Sequence, residues 1–307
     1  MGKTSCRSNV ARSERSLTVA ARLIRSGKLV AFPTETVYGL GANALDPAAV
    51  ERIFAAKGRP HTSPLIVHVD SIEMARGLAS RWPESAETLA RRYWPGPLTL
   101  VLPKQPIIPD IVTAGLPTVG LRMPAHELTL ELIRMAAVPI AGPSANRFTE
   151  LSPTTAAHIP EIADYVLDGG PARVGIESTV LSLVDAPALL RPGTIPLPEI
   201  EELIGPVKLA SAPVDGPHAS PGMHPRHYRP ATPLYLLGPN EEPPRGRGAW
   251  LRIGQEMPAD PAGYAAALYD TLHRLDAEHQ DWIAVEKPPD APEWAGILDR
   301  LRRAAER

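Results

Sequence analysis

Short apolar runs that lead into polar residues recur along the first two thirds of the chain. The first run covers residues 29–32, and Pro33 ends it because proline has no amide hydrogen to donate to a strand ladder. The polar segment 34–41 that follows is predicted to be a loop. Further strands are predicted at residues 65–69, 118–122, 138–141, 175–180 and 189–191, and most of them end in a polar or cationic side chain. This recurrence predicts one shared pocket at the strand ends.

Helices alternate with these strands. Asp46-Pro47 predicts a helix start, since aspartate accepts from the first-turn amides and proline suits the first helical position. Apolar residues then recur at helical spacing until Lys57-Gly58-Arg59, where glycine ends the helix and lets the two cations leave it at different angles. A second helix is predicted over residues 126–136. The alternation predicts an α/β domain.

A second unit is predicted after the proline-rich stretch 206–232. Beyond it, strands are predicted at 233–237, 250–253 and 282–285, and helices at 264–275 and 294–303. This order suits a small three-layer, Rossmann-like α/β domain. The predicted organisation is a mobile tail over 1–13, a catalytic domain over 14–205, a linker over 206–232 and a C-terminal domain over 233–307.

Composition indicates an ordinary globular protein. The chain has 307 residues, an apolar fraction of 44% and a net charge of −2, so any contact with RNA would have to come from a local patch. The only cysteine, Cys6, excludes a disulfide framework and argues against a cysteine nucleophile or a zinc cluster. The sequence has no apolar run that would span a membrane and no signal-like N-terminus, so the cytoplasm is the expected compartment.

Single motifs leave alternatives open. Residues 39–44 imitate a dinucleotide-binding fingerprint, but they lie too far from the preceding strand and no carboxylate follows about 20 residues later. Lys57 and Arg59, taken alone, could be solvated cations at a helix C-terminus. His68 could be a buried histidine with one backbone partner. The turn at 142–146 combines small residues with two short polar side chains, which brings donors close to a ligand.

Taken together, the motifs resemble the threonylcarbamoyl-AMP synthase family, whose catalytic core is the YrdC-like domain. The resemblance covers residues from about 15 to 205, and a second signature at 220–230 resembles the linker that crosses the active-site mouth in the two-domain form of the family. It implies a twisted mixed sheet with flanking helices, then a linker and the small α/β domain. The motifs in family order are Phe32-Pro33-Thr34-Glu35-Thr36-Val37-Tyr38-Gly39-Leu40, Lys57-Gly58-Arg59-Pro60, Pro64-Leu65-Ile66-Val67-His68, Trp94-Pro95-Gly96-Pro97-Leu98-Thr99, Arg122-Met123-Pro124, Ser144-Ala145-Asn146, Glu177-Ser178-Thr179 and Arg191-Pro192-Gly193.

The resemblance implies a nucleotidyltransferase reaction. L-threonine, bicarbonate and ATP would become threonylcarbamoyl-AMP and pyrophosphate, and a downstream threonylcarbamoyl transferase would use the product to modify tRNA beside the anticodon. Because the reactants are anionic, positioning and charge neutralisation should dominate, without a covalent enzyme intermediate. Mg²⁺ is expected with ATP, and no organic cofactor is expected. The nearest carboxylates, Glu35 and Glu177, are not assigned as metal ligands.

Residue roles follow from the same resemblance. Lys57 and Arg59 are predicted to be catalytic. The predicted ATP-binding residues are Lys57, Arg59, Thr118, Ser144, Asn146, Ser152, Arg191 and Tyr228, and the predicted threonine-binding residues are Thr34, His68, Arg122, Gly142 and Ser178. Arg122 suits a carboxylate because its planar fork matches two oxygens.

The chain also departs from the family pattern. Ser63 stands where asparagine is common, and Asp299-Arg300 replaces what is often Asn-Arg in a short second domain. Two rival functions stay open at this point. A double-stranded-RNA-binding module would be strongly salt-dependent and would need no threonine. A carbamoyl-transfer or hydrolase domain would act on another acceptor.

Overall fold

Two β-sheets organise the computed structural model, which describes residues 15–210, 228–239 and 241–305. The larger sheet has ten strands in the order β10-β9-β8-β4-β5-β3-β6-β2-β1-β7. They are β1 (Val30–Phe32), β2 (Gly39–Asn43), β3 (Ile66–His68), β4 (Leu98–Pro103), β5 (Thr118–Arg122), β6 (Ile140–Ala141), β7 (Tyr165–Val166), β8 (Thr179–Ser182), β9 (Ala188–Arg191) and β10 (Lys208–Leu209).

Six helices accompany the larger sheet and two accompany the smaller one. They are α1 (residues 15–25), α2 (Pro47–Lys57), α3 (Ile72–Leu78), α4 (Glu84–Tyr93), α5 (Glu127–Ala136) and α6 (Leu197–Ile204), followed by α7 (Pro261–Ala277) and α8 (Ala295–Ala305). Short 3₁₀ turns cover Asp110–Thr113, Ala156–His158 and Pro292–Trp294.

The register of the larger sheet gathers several strand ends at one edge. β3 and β5 run parallel with His68 opposite Arg122, so both strands finish at that edge. β4 runs antiparallel to β5 and β8 runs parallel to β4, which brings the start of β8 to the same place. β9, antiparallel to β8, ends there with Arg191 opposite Val180. The predicted convergence of polar residues is therefore built by mixed strand directions.

Helix α2 forms as its sequence predicts. The Asp46 side chain accepts a hydrogen bond from the Ala48 amide at 3.0 Å, and Gly58 ends the helix in the left-handed conformation at φ 63°. Its apolar face, with Val50, Ile53 and Phe54, is buried in the main hydrophobic core beneath the sheet. The helix therefore fixes where Lys57 and Arg59 leave the backbone.

Several predicted bounds differ from the structure, and two of the differences lie beside the predicted pocket. The predicted loop 34–41 ends early, because Gly39–Asn43 pairs antiparallel with β1 as strand β2. A Cβ on Gly39 would lie 2.6 Å from Phe32 Cζ, so this glycine gives the Phe32 ring its room and does not serve a dinucleotide fingerprint. The strand predicted at 175–180 begins only at Thr179, so Glu177 and Ser178 precede a strand and do not end one.

The smaller sheet has three parallel strands in the order β11-β13-β12. They are β11 (Leu234–Leu237), β12 (Gly248–Leu251) and β13 (Trp282–Glu286), and their buried side chains pack with helices α7 and α8 around Leu268, Ile283 and Leu301. The predicted fold class, a twisted mixed sheet followed by a small α/β unit, is confirmed.

Some predictions about organisation lie outside the described residues. The predicted tail 1–13 and most of the predicted linker, residues 211–227, belong to this part of the chain. Tyr228, at the end of the linker signature, is described. Among the described helices, none is long and apolar enough to cross a membrane.

Candidate active site

A cavity lies at the sheet edge where β3, β5 and β9 end. Residues from the segments that follow β1 and β6 complete its wall, together with Glu177 and Tyr228. Nine predicted site residues line it: Thr34, Arg59, His68, Arg122, Gly142, Ser144, Ser178, Arg191 and Tyr228. The structure therefore brings together nine of the predicted residues, although they lie far apart along the chain.

Three other predicted residues lie next to the cavity without lining it. Lys57 Nζ donates to the carbonyl of Ser144 at 2.6 Å and to the carbonyl of Asn146. The Asn146 amide donates to Glu150 O at 2.7 Å, which fixes the turn. The Ser152 hydroxyl donates to Glu177 Oε1 at 2.5 Å. These side chains therefore hold the wall of the cavity through contacts within the protein.

Thr118 is the predicted residue that lies apart from the others. It begins β5, whereas Arg122 ends that strand. Thr118 lines a smaller cavity with Thr99, Gly120 and Val180. Because alternate strand residues share a face, residues 118, 120 and 122 lie on one side of the sheet, and the smaller cavity extends along that side.

Both cations at the end of α2 are buried, with Lys57 exposed by 3% and Arg59 by 6%. The solvated-cation interpretation is therefore wrong. Burial and, after it, the Arg59 charge lower the pKa of Lys57 well below its ordinary value. Arg59 donates to Ser63 Oγ at 2.5 Å and to Pro64 O at 3.1 Å. Ser63, which departs from the family pattern, thus supplies a direct partner for Arg59.

His68 and Arg122 lie opposite each other on β3 and β5. Burial and then the Arg122 charge lower the pKa of His68 to about 3, and a backbone hydrogen bond to Ile140 holds the ring. His68 is therefore a buried histidine with one backbone partner, as the alternative interpretation predicted. His68 Nδ1 has no hydrogen-bond partner among the described residues, and it faces Gly142 at the cavity. A neutral imidazole here can accept a hydrogen bond from a ligand.

Glu35 neutralises Arg122 beneath the cavity. Its Oε2 lies 2.8 Å from Arg122 Nη2, which is close enough for an ion pair but not aligned as a hydrogen bond. Arg122 Nε donates to Gly96 O at 3.3 Å. Arg122 therefore keeps one donor, Nη2, that is not committed to a well-aligned hydrogen bond. In the neighbouring turn before β2, the Thr34 hydroxyl donates to Val37 O at 2.6 Å.

Arg191 fixes Ser178 at the opposite wall. Its Nε donates to Ser178 O at 3.1 Å, and its Nη2 donates to Ser178 Oγ at 3.2 Å. Ser178 Oγ also lies 2.8 Å from Thr99 Oγ1. Burial lowers the pKa of Arg191. The buried Tyr228 ring completes this wall, although it comes from the end of the predicted linker.

Sequence reasoning missed the residues that surround Glu177. Arg300 Nε donates to Glu177 Oε2 at 3.0 Å, and Arg300 Nη2 donates to the Glu177 carbonyl at 3.1 Å. The Tyr269 hydroxyl donates to the same carboxylate at 3.2 Å. Burial alone would raise the pKa of Glu177, but Arg300, Arg191 and Ser152 outweigh it and hold that pKa below its ordinary value. The departure at Asp299-Arg300 was the only signal in the sequence.

All buried formal charges of the described residues lie in or beside this cavity. Five are cations and two are carboxylates: Lys57, Arg59, Arg122, Arg191 and Arg300 against Glu35 and Glu177. Burying a cation without a counter-ion lowers the stability of the protein, so anionic ligands bound in the cavity would offset this excess of positive charge.

The donor set does not fit a protein-held magnesium ion. The described residues contain no group of three His, Cys, Asp or Glu side chains placed to hold a metal. Glu35 and Glu177, the nearest carboxylates, are paired with Arg122 and Arg300. Mg²⁺ accompanying ATP remains a prediction.

Family models, curated relatives and a solved structure all match most of this chain. One family model, described as telomere recombination, matches residues 22–193, and another, described as threonylcarbamoyl-AMP synthase, C-terminal domain, matches residues 195–306. The threonylcarbamoyl-AMP synthase of Pyrococcus abyssi is 44% identical over 322 residues, which cover 95% of this chain and 94% of that protein. The Bacillus subtilis protein of the same name is 42% identical over 317 residues, covering 93% and 92%. The crystal structure of P. abyssi Sua5 complexed with L-threonine superposes with a TM-score of 0.87 at 41% identity, covering 94% of each chain.

Proposed function

The chain belongs to the threonylcarbamoyl-AMP synthase family in its two-domain form, and from that premise we propose that it makes L-threonylcarbamoyl-AMP and pyrophosphate from L-threonine, bicarbonate and ATP. The family match makes it an enzyme of the nucleotidyltransferase type. The threonine in the P. abyssi Sua5 complex supports threonine as the amino-acid substrate.

The excess of buried cations carries the proposal. Five buried cations face two buried carboxylates around one cavity, and both carboxylates are already ion-paired. The proposed reactants bring a triphosphate, a carbamate and the threonine carboxylate, all of them anionic. Fixed cations in a site shielded from water stabilise such charges more strongly than solvent-exposed cations do.

Threonine would bind at the His68 side of the cavity. The uncommitted donor of Arg122 would bind the threonine carboxylate, while the neutral His68 Nδ1 would accept from the threonine amine or hydroxyl. Thr34, Gly142 and Ser178 would line the rest of this pocket. The threonine amine, once deprotonated, attacks the bicarbonate carbon, and loss of water leaves the carbamate.

ATP would bind at the Arg59 side. One carbamate oxygen attacks the α-phosphorus, and pyrophosphate leaves with the electrons of the broken P–O bond. Arg59, Arg191 and Lys57 would neutralise the phosphates and the carbamate, and Ser144, Asn146, Ser152 and Tyr228 would contact the nucleotide. Thr118, in the adjoining small cavity, would contact the end of the nucleotide farthest from the reaction. No side chain has to form a covalent bond to substrate.

The product is a mixed anhydride and needs an acceptor. We assign that role to a threonylcarbamoyl transferase that modifies tRNA beside the anticodon, in the cytoplasm. Weak contact with RNA would have to use surface residues, because the site cations are buried inside the cavity.

Pyrophosphate release by the purified protein tests this function. Release should require ATP, threonine and bicarbonate together, and Lys57→Ala should abolish most of it. Lys28→Ala, which removes an exposed lysine two residues before β1, is the matched control. Release that continues without threonine would support carbamoyl transfer to another acceptor. Absence of release combined with salt-sensitive binding of duplex RNA would support the RNA-binding alternative.

A further inference from the structure

Helices α7 and α8 of the C-terminal unit pack directly against two segments that carry site residues. A Cβ on Gly175 would lie 2.2 Å from the Ala265 carbonyl oxygen in α7. A Cβ on Gly296 in α8 would lie 2.4 Å from the Gly193 carbonyl oxygen. Only glycine permits these approaches, so the segments before Ser178 and after Arg191 are held against the C-terminal unit.

Arg300 reaches across this contact to Glu177. Its guanidinium donates to the Glu177 carboxylate and carbonyl and to the carbonyl of Pro192, so one side chain joins both segments. Its Cζ also lies 5.4 Å from the centre of the Tyr228 ring, within cation–π range. Arg300 is 1% exposed, so these contacts are shielded from solvent.

The Glu177 carboxylate is satisfied without Arg191. Oε1 accepts from Ser152 at 2.5 Å and from Tyr269 at 3.4 Å, while Oε2 accepts from Arg300 at 3.0 Å and from Tyr269 at 3.2 Å. Arg191 can therefore direct its Nε and Nη2 to Ser178. Without Arg300, the buried carboxylate would lose its ion-pair partner, and Arg191, whose charge already acts on Glu177, would be the cation left near it.

We propose that Arg300 is a positioning residue of the active site, which neutralises Glu177 and thereby keeps Arg191 and Ser178 in place for the nucleotide and threonine. This role rests on the proposed function and gives the C-terminal unit an indirect part in catalysis, through Glu177. Arg300 itself touches no reacting atom. When it is removed, Arg191 becomes the nearest cation that can pair with Glu177, and its guanidinium turns away from Ser178.

A double-mutant cycle between Arg300 and Glu177 tests the role. Arg300→Met should lower kcat/KM for ATP by at least about tenfold, which corresponds to about 1.4 kcal/mol. Adding Glu177→Gln to Arg300→Met removes the uncompensated charge, and most of the lost activity should return. Arg300→Lys keeps the charge but loses the planar fork, so its activity should fall between that of Arg300→Met and that of the unaltered protein.

Kinetics measured well below the melting temperature of each variant separate positioning from folding. If Arg300 only stabilised the fold, folded Arg300→Met would keep the kcat/KM of the unaltered protein, and that result would overturn the proposal. Arg252→Met is the matched control, because Arg252 is half-exposed in the same unit and pairs with Glu256. It should leave kcat/KM unchanged.

Two further measurements distinguish misfolding of a variant from a loss of ATP binding. If Arg300→Met does not fold, as judged by loss of cooperative thermal unfolding, the same cycle is run with Arg300→Lys. ATP affinity measured by calorimetry on the same proteins should follow the same pattern of loss and rescue. An unaltered protein that releases no threonine-dependent pyrophosphate would refute the proposed function, whereas losses that add in an active protein would refute the positioning role alone.

Discussion

Gly142→Ala should lower the stability of the protein and raise KM for threonine. The added Cβ would lie 2.7 Å from Phe32 Cζ, 2.9 Å from Phe32 Cε1 and 3.3 Å from His68 Nδ1. The Phe32 ring also packs close to the backbones of Gly39 and Gly41, since a Cβ built on either would lie within 2.9 Å of it, so the ring has little room to move away. Either the ring or the backbone after β6 must therefore shift.

The size of the effect follows from this crowding. Inserting a methyl group into a fully packed site costs about 1–3 kcal/mol. For a domain of this size each kcal/mol lowers the melting temperature by about 2–4 °C, so a decrease of about 2–12 °C is expected. Displacement of His68 Nδ1 should also raise KM for threonine by about tenfold or more, with a smaller change in KM for ATP.

Thermal unfolding and pyrophosphate release with varied threonine measure these two effects. Gly77→Ala is the matched control, since its Cβ would meet nothing within 4 Å and Gly77 lies in helix α3. That variant should keep its kinetics and gain up to about 1 kcal/mol from helix propensity. If Gly142→Ala melted at the temperature of the unaltered protein and kept its KM for threonine, the packing argument would be refuted.

Three further predictions concern other parts of the site. Ser63→Ala removes an acceptor from Arg59 and should cost about 1.5–3 kcal/mol of stability while raising KM for ATP; unchanged values would contradict this. Asp276→Ala removes the acceptor for the Ala231 and Thr232 amides and should lower kcat/KM for ATP by loosening the segment after Tyr228, whereas equal kinetics would show that the segment is held elsewhere. The folded pKa of His68, about 3, lies below its unfolded value of about 6.5, so the unfolded state binds more protons between these values and stability falls as pH decreases through this window. His68→Asn should flatten that dependence in thermal unfolding measured between pH 7 and pH 4, and an unchanged slope would contradict it.

Local sequence patterns were sufficient to predict an element whose bounds depend on residues within one helical turn. The start and end of α2 depend on Asp46, Pro47 and Gly58, whose preferences act within one turn, and the helix has the predicted bounds. The start of β2 at Gly39 was missed because glycines are typical of loops, whereas these make room for the Phe32 ring, a contact between neighbouring strands. Spacing argued against a phosphate-binding fingerprint here, but it could not show that the glycines are needed for packing.

The contact between Glu177 and Arg300 could not be predicted from local pattern at all. The two residues are 123 positions apart, and each lies in a segment whose own periodicity is ordinary. Arg300 ends up 1% exposed because its partners, the Glu177 carboxylate and the Glu177 and Pro192 carbonyls, come from the other unit. A sequence pattern can place an arginine on a helix, but only the packing of the two units decides whether that arginine is solvated or buried.

The charge balance around the cavity depends both on local sequence and on the packing of the two units. Five buried cations against two buried carboxylates give the site an excess of positive charge, a cost to stability that a purely structural interior would avoid. Arg300 adds to the number of cations, yet it faces Glu177 and so relieves a carboxylate that would otherwise compete for Arg191. With Glu35 paired to Arg122 and Glu177 paired to Arg300, Lys57, Arg59 and Arg191 supply the remaining positive charge beside the cavity. In the proposed function, the phosphates of ATP and the carbamate would offset that charge.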